Sequence, residues 1–204
     1  MKYLITPILV ATLMTQLSAC APLVIGSAAL ATKVVIDRRT AGIQLEDEAI
    51  SLRSESGLRS QLPRNSNVRV NSYNRLVLLT GEVNHESERL QAERFVKSQD
   101  NVKSVINDLV VSPESSLTQR AQDILITTKV RALLIQARDI HSSAVQIVTE
   151  RGNVYLMGRL TQAEAKRVAD LISTGNVSGV QKIVKVFETI SEEDLARLVA
   201  PSRP

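Results

Sequence analysis

Two stretches of this chain are copies of one another. The run Asn74-Arg75-Leu76-Val77-Leu78-Leu79-Thr80-Gly81-Glu82-Val83 matches Arg151-Gly152-Asn153-Val154-Tyr155-Leu156-Met157-Gly158-Arg159-Leu160, an offset of 158 − 81 = 77. Val68-Arg69-Val70 matches Val145-Gln146-Ile147, Leu58 matches Leu134, Ala92 matches Ala169, and Val102 falls on Val180. A drift of one residue either way is what loop insertions produce. Two tandem copies are too few for a solenoid, so the 204 residues read as two small domains of one fold.

Each copy reads helix, strand, strand, helix, strand, which predicts an α+β fold with a three-stranded mixed sheet per copy. In the second, Leu117 to Ala137 forms the helix and Val145-Ile147-Thr149 alternates as a strand. Arg151-Gly152 is turn chemistry, leading into Val154-Leu156. Thr161 to Glu164 has the spacing of a capping box, and Ala165, Val168, Ala169, Leu171 and Ile172 follow at helical spacing. Gly175-Asn176 stops that helix, and Val180 to Ile190 is the last strand. Gly81 and Gly158 are expected to let a helix pack close or to relieve a bend. The domains are drawn at residues 46–112 and 117–190, with Ser112 to Ser116 between them and a tail over 191–204 in which Ser191 and Asp194 start a short helix.

The N-terminus is an address. Met1-Lys2-Tyr3 precedes an apolar stretch from Leu4 to Leu17, too short for a spanning helix. It ends in Leu17-Ser18-Ala19-Cys20, which resembles the bacterial lipobox. There a diacylglyceryl group alkylates the thiol, a peptidase that needs small residues cuts before the Cys, and the new amine is acylated. The reading is a signal peptide over residues 1–19, lipidation at Cys20, and a tether over 20–45 with at most one helical turn. Two or three acyl chains hold a protein on a membrane almost permanently, at roughly 0.8 kcal/mol per buried methylene. Ala21, where Asp commonly signals inner-membrane retention in such lipoproteins, implies export to the outer membrane.

Composition closes several alternatives. Cys20 is the only Cys, which excludes an internal disulfide framework and a cysteine-rich zinc site. Zero Trp, three Tyr and two Phe argue against stacking-based nucleic-acid binding. His85 and His141 lie far apart and read as solvated loop residues, leaving no expected metal site. Glu86, Glu88 and Glu93 with Arg89 and Arg94 read as a solvated helix face rather than paired catalytic carboxylates. No cofactor loop and no catalytic constellation emerge, so the chain reads as a non-enzyme.

The first helix of the second copy carries more apolar surface than one sheet needs. At about 100° per residue, Ile126, Val130, Leu133 and Leu134 share the face that covers the sheet. A second stripe lies opposite: Ile124, Leu125, Ala132 and Ile135, with Thr128 between them and Lys129, Arg131 and Arg138 flanking. An apolar stripe edged by cations suits an anionic membrane surface, or it packs on the first copy. The counterpart helix, with Ser51, Ser54, Glu55 and Ser56, offers no such face. Residues 46–112 hold nine basic and ten acidic residues, whereas 113–190 hold ten and seven. The balance therefore shifts from −1 to +3, in the direction an anionic surface favours.

The unit, with Val-x-Leu-x-Gly at Val77 to Gly81 and at Val154 to Gly158 and a Val-x-x-Val approach to the third strand at Val102 to Val105, resembles the BON domain. The lipobox, the tether pieces Ala28 to Lys33 and Gly42 to Asp47, the two units and the run Ile126-Thr127-Thr128-Lys129-Val130-Arg131 together resemble a BON-domain lipoprotein of the bacterial outer membrane, over about residues 17–190. That resemblance implies a lipid-anchored protein facing the periplasm. It also implies binding of anionic, phosphatidylglycerol-like phospholipid through this helix, and support of envelope integrity. The expected binding residues are Ile124, Leu125, Thr128, Lys129, Arg131, Ala132 and Ile135. The chain departs from the pattern at Leu125, where the resembled lipoprotein carries Trp, a residue that favours the headgroup level. The alternative is an interaction module for an envelope protein partner in outer-membrane assembly or septal wall hydrolysis.

Overall fold

The computed structural model describes residues 37–199. The signal peptide, Cys20 and the end of the tail lie outside them. Helix α1 (Ala41–Gln61) starts at Thr40, whose side chain accepts the Ile43 N–H, and buries Ile50 and Leu58. Strands β1 (Asn67–Tyr73) and β2 (Leu76–Val83) pair antiparallel, helix α2 (Glu86–Lys97) crosses over, and β3 (Ser104–Asn107) and β4 (Val110–Val111) run parallel to β2. The second unit repeats the order. Helix α3 (Leu117–Gln136) leads through a 3₁₀ turn at Ser142–Ala144 to β5 (Val145–Glu150) and β6 (Asn153–Leu160), then α4 (Gln162–Thr174) and β7 (Lys182–Thr189). Here β5 and β6 are antiparallel and β6 and β7 parallel. A short helix α5 (Glu192–Val199) follows, its first turn held by the Ser191 hydroxyl accepting the Asp194 N–H.

The α+β fold with two mixed sheets is as expected, with three local differences. The third strand of the first unit is broken, so that sheet has four strands rather than three. The break falls where the Asn107 side-chain oxygen takes the Leu109 N–H and the Asp108 carboxylate turns to the Tyr155 hydroxyl. The expected tether boundary at residue 45 falls inside α1, and Arg38 is only 3% exposed. Residues 37–45 belong to the folded body because Arg38 pairs with Glu164, Arg39 pairs with Asp47, and Thr40 caps α1. Finally, backbone of the segment leading into or starting the neighbouring strand, rather than an α-helix, crowds Gly81 and Gly158. A Cβ on Gly81 (φ +111°) would lie 2.0 Å from the Asn67 carbonyl oxygen, and one on Gly158 2.4 Å from that of Ala144. In the first unit the glycine lets the start of β1 pass at backbone distance, and in the second the end of the 3₁₀ turn that leads into β5.

Both units also share a turn lock. Asp47 on α1 accepts the backbone N–H groups of Asn74 and Arg75 at 2.7 and 2.8 Å. Its counterpart Asp123 on α3 accepts those of Arg151 and Gly152 at 2.9 and 2.8 Å. A buried carboxylate thus satisfies the N–H groups that the β1–β2 and β5–β6 turns leave unpaired.

Strands β2 and β6 are buried on both faces. Val77 and Leu79 join the core under α1 and α2, and Val154 and Leu156 join the core under α3 and α4. Leu78, Tyr155 and Met157 point the other way and, with Tyr73 and Val186, form a third core between the two sheets. The layers therefore run helices, sheet, sheet, helices. That double burial explains why both strands read as continuous apolar runs rather than alternating ones. Each such side chain removed from water contributes roughly 1.5–3 kcal/mol. Polar ties border the seam: the Tyr155 hydroxyl donates to Asp108 at 2.6 Å, Arg151 pairs with Glu82 at 3.3 Å, and Asn74 donates to Glu188.

Candidate functional site

The outward face of α3 is the surface to explain. Its inward face is Ile126, Val130 and Leu134, all at most 4% exposed, in the core of the second unit. Ser116 and Gln119 form a reciprocal capping box at its start, which fixes where the helix begins. That register leaves Ile124, Leu125 and Ile135 at 67%, 59% and 65% exposed. Thr128, Lys129, Arg131 and Ala132 are exposed around them. The stripe is thus not packed against the first unit. All seven residues expected from sequence lie on the exposed side of this one helix.

The electrostatics of this face are one-sided. The only acid in α3 is Asp123, which is 6% exposed and turned inward to the Arg151–Gly152 turn. Neither Lys129 nor Arg131 forms an ion pair among the described residues. Within α3 itself, no acid faces the stripe.

The repeat supplies an internal comparison. Aligning Asp47 with Asp123 sets Glu48, Ala49, Glu55, Ser56 and Arg59 of α1 against Ile124, Leu125, Arg131, Ala132 and Ile135 of α3. One scaffold presents acids and small residues in the first unit and an apolar, cation-edged stripe in the second. The first helix is not bare, since Leu45 and Leu52 are 73% and 59% exposed. They lie one helical heptad apart with the exposed Glu48 between them, an arrangement that an anionic surface repels.

The remaining polar candidates have structural roles. His85 and His141 are exposed, and His85 starts α2 without a side-chain capping bond. Glu86 pairs with Arg89 at 2.6 Å and Glu93 with Lys97 at 2.5 Å on the surface of α2. Glu88 departs from the expected solvated face. It is 7% exposed and accepts the Asn84 N–H and the Ser66 hydroxyl, both at 2.9 Å. Burial opposes its ionisation, but those donors outweigh it and hold its pKa below the ordinary value. Among the described residues no three His, Cys, Asp or Glu side chains cluster as a metal site, and no helix is long and apolar enough to cross a membrane.

Two copies of one α+β unit, each with its own turn lock, define the class. The BON domain model matches residues 49–113 and 122–190, and the chain belongs to the BON-domain family. The particular likeness is to Outer membrane lipoprotein DolP of Haemophilus influenzae, 36% identical over 174 residues, which covers 84% of this chain and 89% of that protein. A likeness of that extent carries the outer-membrane lipoprotein character expected from the lipobox. The 21 kDa hemolysin of Actinobacillus pleuropneumoniae is 29% identical over 76% of this chain and 80% of its own. Among solved structures, CdsD, a structural protein of the type III secretion system of Chlamydia trachomatis, aligns over 74% of this chain and 99% of its own. Its sequence identity is 14% and its TM-score 0.31.

Proposed function

We propose that this outer-membrane lipoprotein binds anionic phospholipid through the outward face of α3 and supports envelope integrity by binding rather than by turnover. The observation that carries the reading is the exposure of Ile124, Leu125 and Ile135 beside Lys129 and Arg131, on a helix whose sole acid is buried. Apolar side chains of this size enter the headgroup and acyl boundary, and the cations meet lipid phosphates. Near an anionic surface each cation contributes roughly 1 kcal/mol, enough to choose among lipid patches but small beside an acyl anchor. Acylated Cys20, outside the described residues, fixes the leaflet, and α3 biases the protein toward anionic patches within it.

The test uses residues 21–204, which lack the anchor, and vesicles of phosphatidylcholine with or without phosphatidylglycerol. Wild-type chain cosediments with the anionic vesicles at low salt, and Leu125→Glu abolishes this while the fold is retained. Folded wild-type chain that ignores anionic vesicles at low salt defeats the reading and puts an envelope protein partner in its place.

A further inference from the structure

Beside the exposed stripe, between α3, the Arg151–Gly152 turn and the Ser178–Gln181 loop, lies a cleft of about 350 Å³. Gln119, Gln122, Leu125, Lys129, Arg151 and Gln181 line it. Its walls are fixed by the backbone. The Gln181 N–H donates to the Gly152 carbonyl at 2.8 Å, and Asp123 holds the Arg151 and Gly152 N–H groups. Gly179, at φ +95°, brings the loop so close to α3 that a Cβ would stand 3.1 Å from Ile126 Cδ1.

The first unit shows the same place closed. Lys103 donates to the Arg75 carbonyl there just as Gln181 donates to Gly152, so Asn101 stands where the second unit has Gly179. Glu46 stands where Gln122 is, and Arg53 where Lys129 is. In the first unit these side chains bond to one another. Arg53 pairs with Glu46 at 3.3 Å and donates to the Asp100 carbonyl at 3.1 Å, and the Asn101 amide donates to Glu46 at 3.1 Å. The second unit has lost the carboxylate to Gln122 and the bridging side chain to Gly179. Its cation, Lys129, is left without an ion pair among the described residues, over open space rimmed by amides.

We infer that this cleft is a pocket for the phosphodiester headgroup of an anionic glycerophospholipid. The inference rests on the membrane reading of α3 and deepens it. A phosphodiester offers only acceptors and one negative charge, which the Lys129 ammonium and the amide N–H groups of Gln119, Gln122 and Gln181 can meet. The amide oxygens of Gln122 and Gln181 remain for headgroup hydroxyls, while that of Gln119 accepts the Ser116 N–H. A choline or ethanolamine headgroup would bring a further cation beside Lys129 and Arg151 and is disfavoured. The carboxylate that lines the cleft, Asp123, already accepts two backbone N–H groups, and the Arg151 guanidinium is held by Glu82 at 3.3 Å and by Ser112 at 3.2 Å. Leu125 belongs both to the cleft and to the exposed stripe. A headgroup seated here therefore has its acyl chains beside the apolar face.

The experiment places the full acylated chain in phosphatidylcholine nanodiscs and follows the Ile126 δ1 methyl signal while soluble probes are added. Glycerophosphoglycerol, a headgroup without acyl chains, should give a saturable shift, and glycerophosphocholine none. The variant Gln122→Glu/Gly179→Asn rebuilds the closed arrangement of the first unit and should weaken the response at least tenfold. Asn is suited to the site because Asn101 already adopts φ +65° in the equivalent position. Lys129→Gln should weaken it similarly without touching the loop. No saturable shift, a shift that survives both variants, or inorganic phosphate binding as tightly as the headgroup overturns the inference. A chain that binds anionic vesicles but gives no headgroup shift loses the cleft alone. One that does neither loses the membrane reading as well.

Discussion

Arg38 and Glu164 form a two-pronged pair, with guanidinium nitrogens 2.6 and 2.7 Å from the two carboxylate oxygens, and Arg38 also donates to the Arg159 carbonyl at 2.7 Å. One residue further on, Arg39 pairs with Asp47 of α1 at 2.8 Å and lies over the Tyr73 ring at 4.1 Å. The segment that leaves the tether therefore grips the second unit with one arginine and the first with the next. It straps together two units that already share the core between their sheets.

Removing that strap should be felt throughout the body. Arg38 is 3% exposed, and hydrogen bonds to charged groups contribute about 1.5–3 kcal/mol each way of breaking them. Arg38→Ala should lower unfolding stability by about that amount in urea denaturation, and Arg38→Lys should recover only part, since an ammonium cannot bond both oxygens in the plane. The pH dependence follows. Burial opposes ionisation of Glu164, yet the Arg38 and Thr161 donors prevail and its pKa lies below the ordinary 4.5. The unfolded state thus takes up the proton first, so this stabilisation is present above pH 4.5 and fades as pH falls through the folded pKa. Arg38→Ala should flatten that acid limb.

How much of this was legible beforehand depends on how far along the chain the partners sit. The capping box of Thr161 and Glu164, the inward face Ile126, Val130 and Leu134, and the exposed stripe all follow from spacing within one helix. Tyr155 and Asp108, or Arg38 and Glu164, are 47 and 126 residues apart, and no local period announces them. The core between the sheets left a trace in the unbroken apolar runs of β2 and β6, but such runs do not say what covers the second face. The open cleft needed both copies in three dimensions, because aligning Val102 with Val180 sets Asn101 on Gly179 but does not show that Asn101, Glu46 and Arg53 bond to one another.

The two faces of α3 should separate cleanly on mutation. Leu134 is 1% exposed and packed on every side, so Leu134→Ala should destabilise by roughly 2–5 kcal/mol. Leu125 and Ile135 are more than half exposed, and their alanine variants should stay within about 0.5 kcal/mol of wild type. Thermal denaturation checks both. Leu125→Ala should nonetheless weaken binding to phosphatidylglycerol vesicles.

Charge should act through salt. Lys129→Ala and Arg131→Ala each remove one exposed cation that has no ion pair among the described residues, and each should cost about 1 kcal/mol of binding to anionic vesicles. Salt screens interactions between exposed charges beyond a Debye length of about 8 Å at physiological ionic strength. Each variant should therefore also show a shallower fall of binding with added salt. Arg59→Ala, at the equivalent of Ile135 on α1, should change neither quantity.

The seam between the units should carry a signature of Glu150. This side chain is 3% exposed, and neither carboxylate oxygen accepts a hydrogen bond among the described residues. Arg69 of β1 approaches to 3.5 Å. Burial pushes the Glu150 pKa above the ordinary 4.5; Arg69 and Arg120 oppose the rise, and the charges of Glu82 and Asp123 add to it. The folded state thus holds this proton more tightly than the unfolded chain. Its contribution is fully present below pH 4.5 and is lost as pH rises through the folded pKa. Glu150→Gln should be more stable than wild type at pH 7. That advantage should shrink as pH is lowered through 4.5 and the carboxyl takes up its proton in the unfolded chain too. Urea denaturation of both proteins across that range reads the difference directly, and the other carboxylates cancel because they are common to both. A Glu150→Gln variant less stable than wild type at pH 7 would mean that the Arg69 pair outweighs the loss of hydration.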